Sequence, residues 1–168
     1  MKKITFLFLF LTSITLISNC GIYKFNGGST GDAKTIQVDF FPNQASLIEP
    51  QLSQRFTQDM QDLFLRQTNL DLTNSGGDLR FEGEITGYRI NPMSATSQQT
   101  AAQNRLTITV NVRFYNRLKE DDDFEKQFSF YSDFDANAQL TGGVLDGALE
   151  EILERIIQDI FNASLGNW

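Results

Sequence analysis

Between residues 105 and 115, Leu106, Ile108, Val110, Val112 and Phe114 alternate with Arg105, Thr107, Thr109, Asn111, Arg113 and Tyr115. A period of two sends one set to each face of a β-strand, so this stretch predicts a strand with one dry face. Three other stretches repeat the pattern. Residues 35–41 set Ile36, Val38 and Phe40 against Gln37, Asp39 and Phe41, and Pro42-Asn43 stops them. Residues 79–90 place Leu79, Phe81, Gly83, Ile85 and Gly87 on one side and Arg80, Glu82, Glu84, Thr86 and Tyr88 on the other. Glycines within a strand mark a bulge or a close approach, here read as a helix crossing near Gly83. In the last strand Phe124, Phe128, Phe130 and Phe134 oppose Glu125, Gln127, Ser129 and Tyr131, with Lys126 outside the pattern.

Two segments change period. Leu52, Phe56, Met60, Leu63 and Phe64 form one helical stripe that starts near Pro50, where the first turn tolerates proline. Val144, Leu145, Ala148, Leu149, Ile152, Leu153, Ile156, Ile157, Ile160 and Phe161 make the wider face of a second helix, about five turns long. Residues 69–74, 91–104, 116–123 and 136–143 are polar connections. The order strand, helix, strand, strand, strand, helix predicts an α+β fold. It is a two-layer α/β sandwich whose four-stranded mixed sheet is covered on one face by two helices. The first two strands lie parallel across the helical crossover, and the later ones add antiparallel.

The first nineteen residues belong to another kind of segment. Lys2 and Lys3 precede a run that is apolar from Ile4 to Ile17 except for Thr12, Ser13 and Thr15, shorter than a bilayer span and suited to a secretory signal peptide. Leu16-Ile17-Ser18-Asn19-Cys20-Gly21 then resembles the lipobox of bacterial lipoproteins. That resemblance implies cleavage before Cys20 and acylation of its sulfur, and two or three acyl chains make a firm membrane anchor. The chain thus divides into a signal peptide (1–19), a lipidated cysteine and glycine-rich tether (20–33), and a sandwich domain (34–168).

Composition narrows the chemistry. There is no histidine and one cysteine, which excludes Ser-His and Cys-His catalysis, an internal disulfide and the common zinc ligand sets. Fourteen basic side chains face 21 acidic ones; without Lys2 and Lys3 twelve remain, a net charge of −9. So acidic a domain has no general affinity for nucleic acid. Glu82 and Glu84 sit roughly 7 Å apart along one strand face, a spacing open to paired-carboxylate hydrolysis, but no sugar platform accompanies them. The Asp121-Asp122-Asp123 run lacks the alternation and closing glutamate of a calcium loop. We expect no enzyme and no cofactor.

Several stretches carry a more specific likeness. The Cys20-Gly-Ile-Tyr-Lys-Phe lead-in, the Phe40-Phe-Pro-Asn strand end, Phe81-Glu-Gly-Glu-Ile-Thr-Gly-Tyr88, Asn104-Arg-Leu-Thr-Ile-Thr-Val110 and the terminal Asn-Trp resemble the lipopolysaccharide-assembly lipoprotein LptE family in its Bacteroidota form. The resemblance implies a sandwich lodged in the outer-membrane β-barrel LptD, assisting its assembly and the delivery of lipopolysaccharide to the outer leaflet. It implies an outer-membrane location, with the domain facing the periplasm and the barrel lumen. The polar sheet face, with Tyr88, Thr107, Thr109, Asn111, Arg113 and Tyr115, either meets water or meets the polar inner wall of such a barrel. Arg89 and Arg105 bracket the 91–104 connection and are the candidate contacts for lipopolysaccharide phosphates. The other function class left open is a lipid-anchored periplasmic binding module acting without a barrel.

Overall fold

The computed structural model describes residues 28–47, 49–93 and 102–166. The signal peptide, Cys20, most of the tether and the terminal Asn-Trp lie outside them. Strand β1 (Thr35–Val38) leads to helix α1 (Leu52–Gln67), then come β2 (Asp71–Leu72), β3 (Leu79–Met93), β4 (Gln103–Asn116), β5 (Phe124–Asp135) and helix α2 (Gly142–Leu165). The sheet order is β2-β1-β3-β4-β5. β1 pairs parallel with β2 and β3, and β3, β4 and β5 form an antiparallel meander. The fold is therefore α+β with one mixed sheet and two helices, but it has five strands, and its element order carries one strand more than the pattern predicts.

The additional strand is β2. Its two residues are both exposed, so no dry face marks it in the sequence. Backbone bonds alone define it: Asp71 N–H donates to the Lys34 carbonyl and Thr73 N–H to that of Ile36, both at 2.9 Å. On the other side of β1, Asp78 fixes where the strand begins. Its carboxylate accepts from the Lys34 and Thr35 amides and from the Thr35 hydroxyl at 2.9 to 3.1 Å. These bonds, that from the Lys34 amide foremost, hold the Asp78 carboxyl below the ordinary aspartate range.

The core lies between the sheet and the two helices. Leu52, Phe56, Met60, Leu63 and Phe64 of α1 are buried, as are Leu149, Ile152, Ile156 and Ile160 of α2. Ring contacts run through this layer from Phe161 to Phe64 (5.2 Å), Phe81 (4.8 Å), Phe114 (4.8 Å) and Phe124 (5.3 Å). Offset and edge-on aromatic pairs add to simple area burial, which makes this chain the spine of the core.

Three details depart from strict alternation. β1 stops at Val38, so the phase slips: Phe40 is 62% exposed and Phe41 fully buried, the reverse of the pattern. Phe41 N–H is held by the Thr57 hydroxyl at 3.2 Å, and its ring meets Phe56 edge-on at 5.0 Å. That ring, and not a helix, is what approaches Gly83: a Cβ there would lie 2.6 Å from the Phe41 ring and 2.1 Å from the Asn111 carbonyl oxygen. Finally, strands β3 and β4 run past the expected connection, pairing Pro92 with Asn104 and Met93 with Gln103.

Candidate functional site

The sheet face opposite the helices carries the polar half of every alternating strand. Its register aligns Arg80 with Tyr115, Glu82 with Arg113 and Glu125, and Glu84 with Asn111 and Gln127. Opposite charges on neighbouring strands can therefore reach one another. Arg113 Nε donates to Glu82 at 3.0 Å and Nη2 to Glu84 at 2.9 Å, while Arg80 Nη2 bridges Asp39 and Glu82 at 2.6 Å each. Asn111 Nδ2 donates to Glu84 at 3.0 Å and to Glu125 at 2.8 Å, and the Tyr115 hydroxyl donates to Glu82 at 3.3 Å. The result is a net of four acids and two arginines that runs from Asp39, just past the end of β1, across β3, β4 and β5.

The net sets proton affinities. Hydrogen bonds from Arg113 and then Asn111 hold Glu84 below the ordinary glutamate range, and bonds to Glu84 and Glu82 push the Arg113 guanidinium up. Desolvation, followed by the charge of Glu82, raises the Tyr115 phenol. Glu84, held ionised by Arg113 and Asn111, is a poor general acid.

Toward the 93–103 end the same face changes character. Thr109 and Ser129 share a hydroxyl contact of 3.0 Å, and Thr86 and Thr107 lie beside them in the ladder. Arg105 grips both oxygens of Asp133 at 2.7 and 2.8 Å and stacks its guanidinium 3.5 Å from the Tyr131 ring centre. The bidentate grip holds Asp133 below its usual range. Arg89, opposite Thr107, lies diagonal to Arg105, roughly 7 to 8 Å away by ladder geometry. Arg89 is exposed and makes no hydrogen bond or ion pair among the described residues. The two candidate arginines are thus neighbours of unequal freedom.

Thr107, Thr109, Asn111, Arg113 and Tyr115 lie on this open face, while Tyr88 does not. The register shifts between Ile85 and Gly87, so Thr86 occupies a bulge and Tyr88 turns under the helices opposite Ile108, only 6% exposed. Burial, and then the charge of Glu49, raises its phenol. The cross-strand net of Asp39, Arg80 and Glu125 was missed in the sequence, because register decides which charges meet and alternation fixes only the face. Among the described residues no cluster of acids, histidines or cysteines could hold a metal ion, and no helix is long and apolar enough to cross a membrane.

The sandwich is thus a helix-backed sheet whose second face is an uncovered, internally cross-linked polar surface. The family model for LptE, lipopolysaccharide-assembly, matches residues 33–164. The chain belongs to the LptE family, a non-enzymatic family of lipopolysaccharide-assembly lipoproteins.

Among solved structures, a hypothetical protein from Chlamydia trachomatis aligns with a TM-score of 0.54 at 8% identity over 80% of this chain and 99% of that one. At that identity the likeness bears on the fold alone. Lipoprotein B from Nitrosomonas europaea aligns at 0.49 with 10% identity, over 77% of this chain and 80% of that one. Rare lipoprotein B from Shewanella oneidensis aligns at 0.47 with 13% identity, over 76% and 89%. A search of curated sequences finds no significant match.

Proposed function

We propose that this chain is an outer-membrane lipoprotein, anchored through Cys20 after loss of residues 1–19, whose sandwich partners an LptD-like β-barrel. In this role it assists barrel assembly and takes part in delivering lipopolysaccharide to the outer leaflet. The observation that carries the reading is the family match across 33–164, which takes in every strand, α1 and all but the last residue of α2. The open face supports it: most of its charges, Arg89 excepted, are already paired with one another, so it can meet a polar, water-lined barrel wall while burying few isolated charges. The domain then faces the periplasm and the barrel lumen.

The anchor also orients the domain. Ser29 N–H donates to the Leu165 carbonyl at 2.8 Å, which ties the start of the described chain to the end of α2. Gly28 stands eight residues after Cys20, a reach of at most about 28 Å. The end of the sandwich carrying Leu165 is therefore the one near the bilayer. For lipopolysaccharide phosphates the geometry favours Arg89 over Arg105, since Arg105 would have to release Asp133 first.

The test is a mild-detergent pull-down of the lipidated protein from its native envelope, followed by mass spectrometry. A large barrel protein is expected in the eluate. Recovery of the intact, folded lipoprotein with no barrel would leave a stand-alone binding module instead. Alanine at Arg89 should weaken capture of purified lipopolysaccharide more than alanine at Arg105, and equal binding by both variants and the parent would remove the arginines from the site.

A further inference from the structure

The two edges of the sheet are unlike. β2 ends one side with two residues, whereas β5 ends the other with twelve, in a register from Gln103↔Asp135 to Phe114↔Phe124 that contains no bulge, glycine or proline. Long flat edges of this kind are templates for another strand. The direction of its backbone groups follows from the ladder. Ala136 N–H donates to the Ala102 carbonyl at 3.0 Å in the same register, and bonded pairs recur at every second residue. Even-numbered residues of β5 therefore bond to β4, while Glu125, Gln127, Ser129, Tyr131 and Asp133 turn N–H and C=O outward. None of these outward groups has a partner among the described residues.

Alongside this edge, on the helix side, runs a groove of about 310 Å³ lined by Phe130, Glu151, Glu154, Arg155 and Gln158. Phe130 gives it an apolar floor, with the Arg155 guanidinium 5.7 Å from the ring centre, and Ser132 anchors Glu151 at 2.5 Å. Its lining is acidic, with Glu151 and Glu154 outnumbering Arg155. Lys126 guards one end, over the Phe128 ring at 5.2 Å, and no other basic residue of β5 points to this side. A second copy of this chain would bring the same acidic rim to the edge, and each copy carries a net charge of −7 before processing. The complementary occupant is basic.

We infer that β5 is completed by strand addition: an extended segment of the barrel partner pairs antiparallel or parallel with residues 125–133 and points a basic side chain into the Phe130 groove. This deepens the barrel reading above and rests on it. A wall strand of a closed barrel already has both edges bonded, so the segment comes from a part of the partner outside the wall. The main-chain bonds supply the affinity and the groove selects the side chain.

Gln127→Pro tests the inference, because it deletes an outward amide that the β4 ladder does not use. The lipidated variant should recover at least about tenfold less barrel from the envelope than the parent, while Gln127→Thr, which keeps the amide, recovers it fully. In the parent complex the amides of 125, 127, 129, 131 and 133 should exchange with solvent more slowly than in the free protein. Exchange at equal rates in both overturns the inference, even where the proline variant fails to fold. Full recovery by a folded Gln127→Pro variant overturns it as well. A proline-sensitive dimer of the purified protein would assign the edge to a second copy and also overturn it. No barrel with the parent protein sinks the functional reading and this one together, whereas a barrel recovered independently of residue 127 sinks this one alone.

Discussion

Under the helices, Phe64, Phe81 and Phe114 touch ring to ring at 4.8 Å. On the other face of the same strands, Glu82, Arg113 and Glu84 touch through hydrogen bonds of 2.9 and 3.0 Å. The first arrangement holds the fold by excluding water and is nearly indifferent to pH and salt. The second is half open to water, adds modest stability, and fixes instead the direction in which each charge points. A face whose central acids, Asp39, Glu82, Glu84 and Glu125, are tied to arginines of the same sheet presents hydroxyls, amides and pre-paired charges.

The largest effect should come from the dry face. Phe81→Ala removes a fully buried ring between two others and is expected to cost about 3 to 5 kcal/mol in urea unfolding. Gly83→Ala joins the two faces, since its methyl would press on both the Phe41 ring and the Asn111 carbonyl. A loss of about 1 to 3 kcal/mol is expected, and an unchanged midpoint would mean that Phe41 does not lie against the strand.

On the open face, Arg113→Gln should cost only about 1 kcal/mol at neutral pH, because the net remains accessible to water. The pH dependence has a definite sign. Glu84 is held below its ordinary range when folded, so the stability it contributes is complete above the unfolded glutamate range and is lost as pH falls through the lower folded value. The gap between parent and Arg113→Gln should therefore narrow on acidification through the carboxylate range. A gap that widens would contradict the assignment. Asp133→Asn should change stability least, but it frees Arg105 and should bring lipopolysaccharide binding at Arg105 up toward that at Arg89.

Most of this architecture is readable from periodicity. The strict alternation from Leu106 to Phe114 gives β4 and its dry face, and the stripes of Leu52 to Phe64 and Val144 to Phe161 give both helices. What escapes the pattern is set by the backbone. The two exposed residues of β2 exist as a strand through hydrogen bonds alone. The bulge at Thr86 turns Tyr88 inward against its sequence parity, and the early end of β1 exchanges Phe40 and Phe41. Pro92, which reads as a loop marker, sits within β3 opposite Asn104. By the same alternation that governs β5, the bonded pairs there are Asn91 with Arg105 and Met93 with Gln103, so no ladder amide is needed from the proline. The open face is visible as a set of residues, but its division into a charge net and a hydroxyl-rich half, with Arg89 unengaged among the described residues, requires the register.

The central claim, that the open face meets the barrel, is tested most directly by photo-cross-linking in the native envelope. A photoreactive side chain would be placed at Thr109, in the middle of that face, and in a second variant at Glu150, on the exposed helix layer. The account predicts a covalent adduct with the barrel protein from Thr109. An adduct from Glu150 with none from a folded, membrane-anchored Thr109 variant would contradict it.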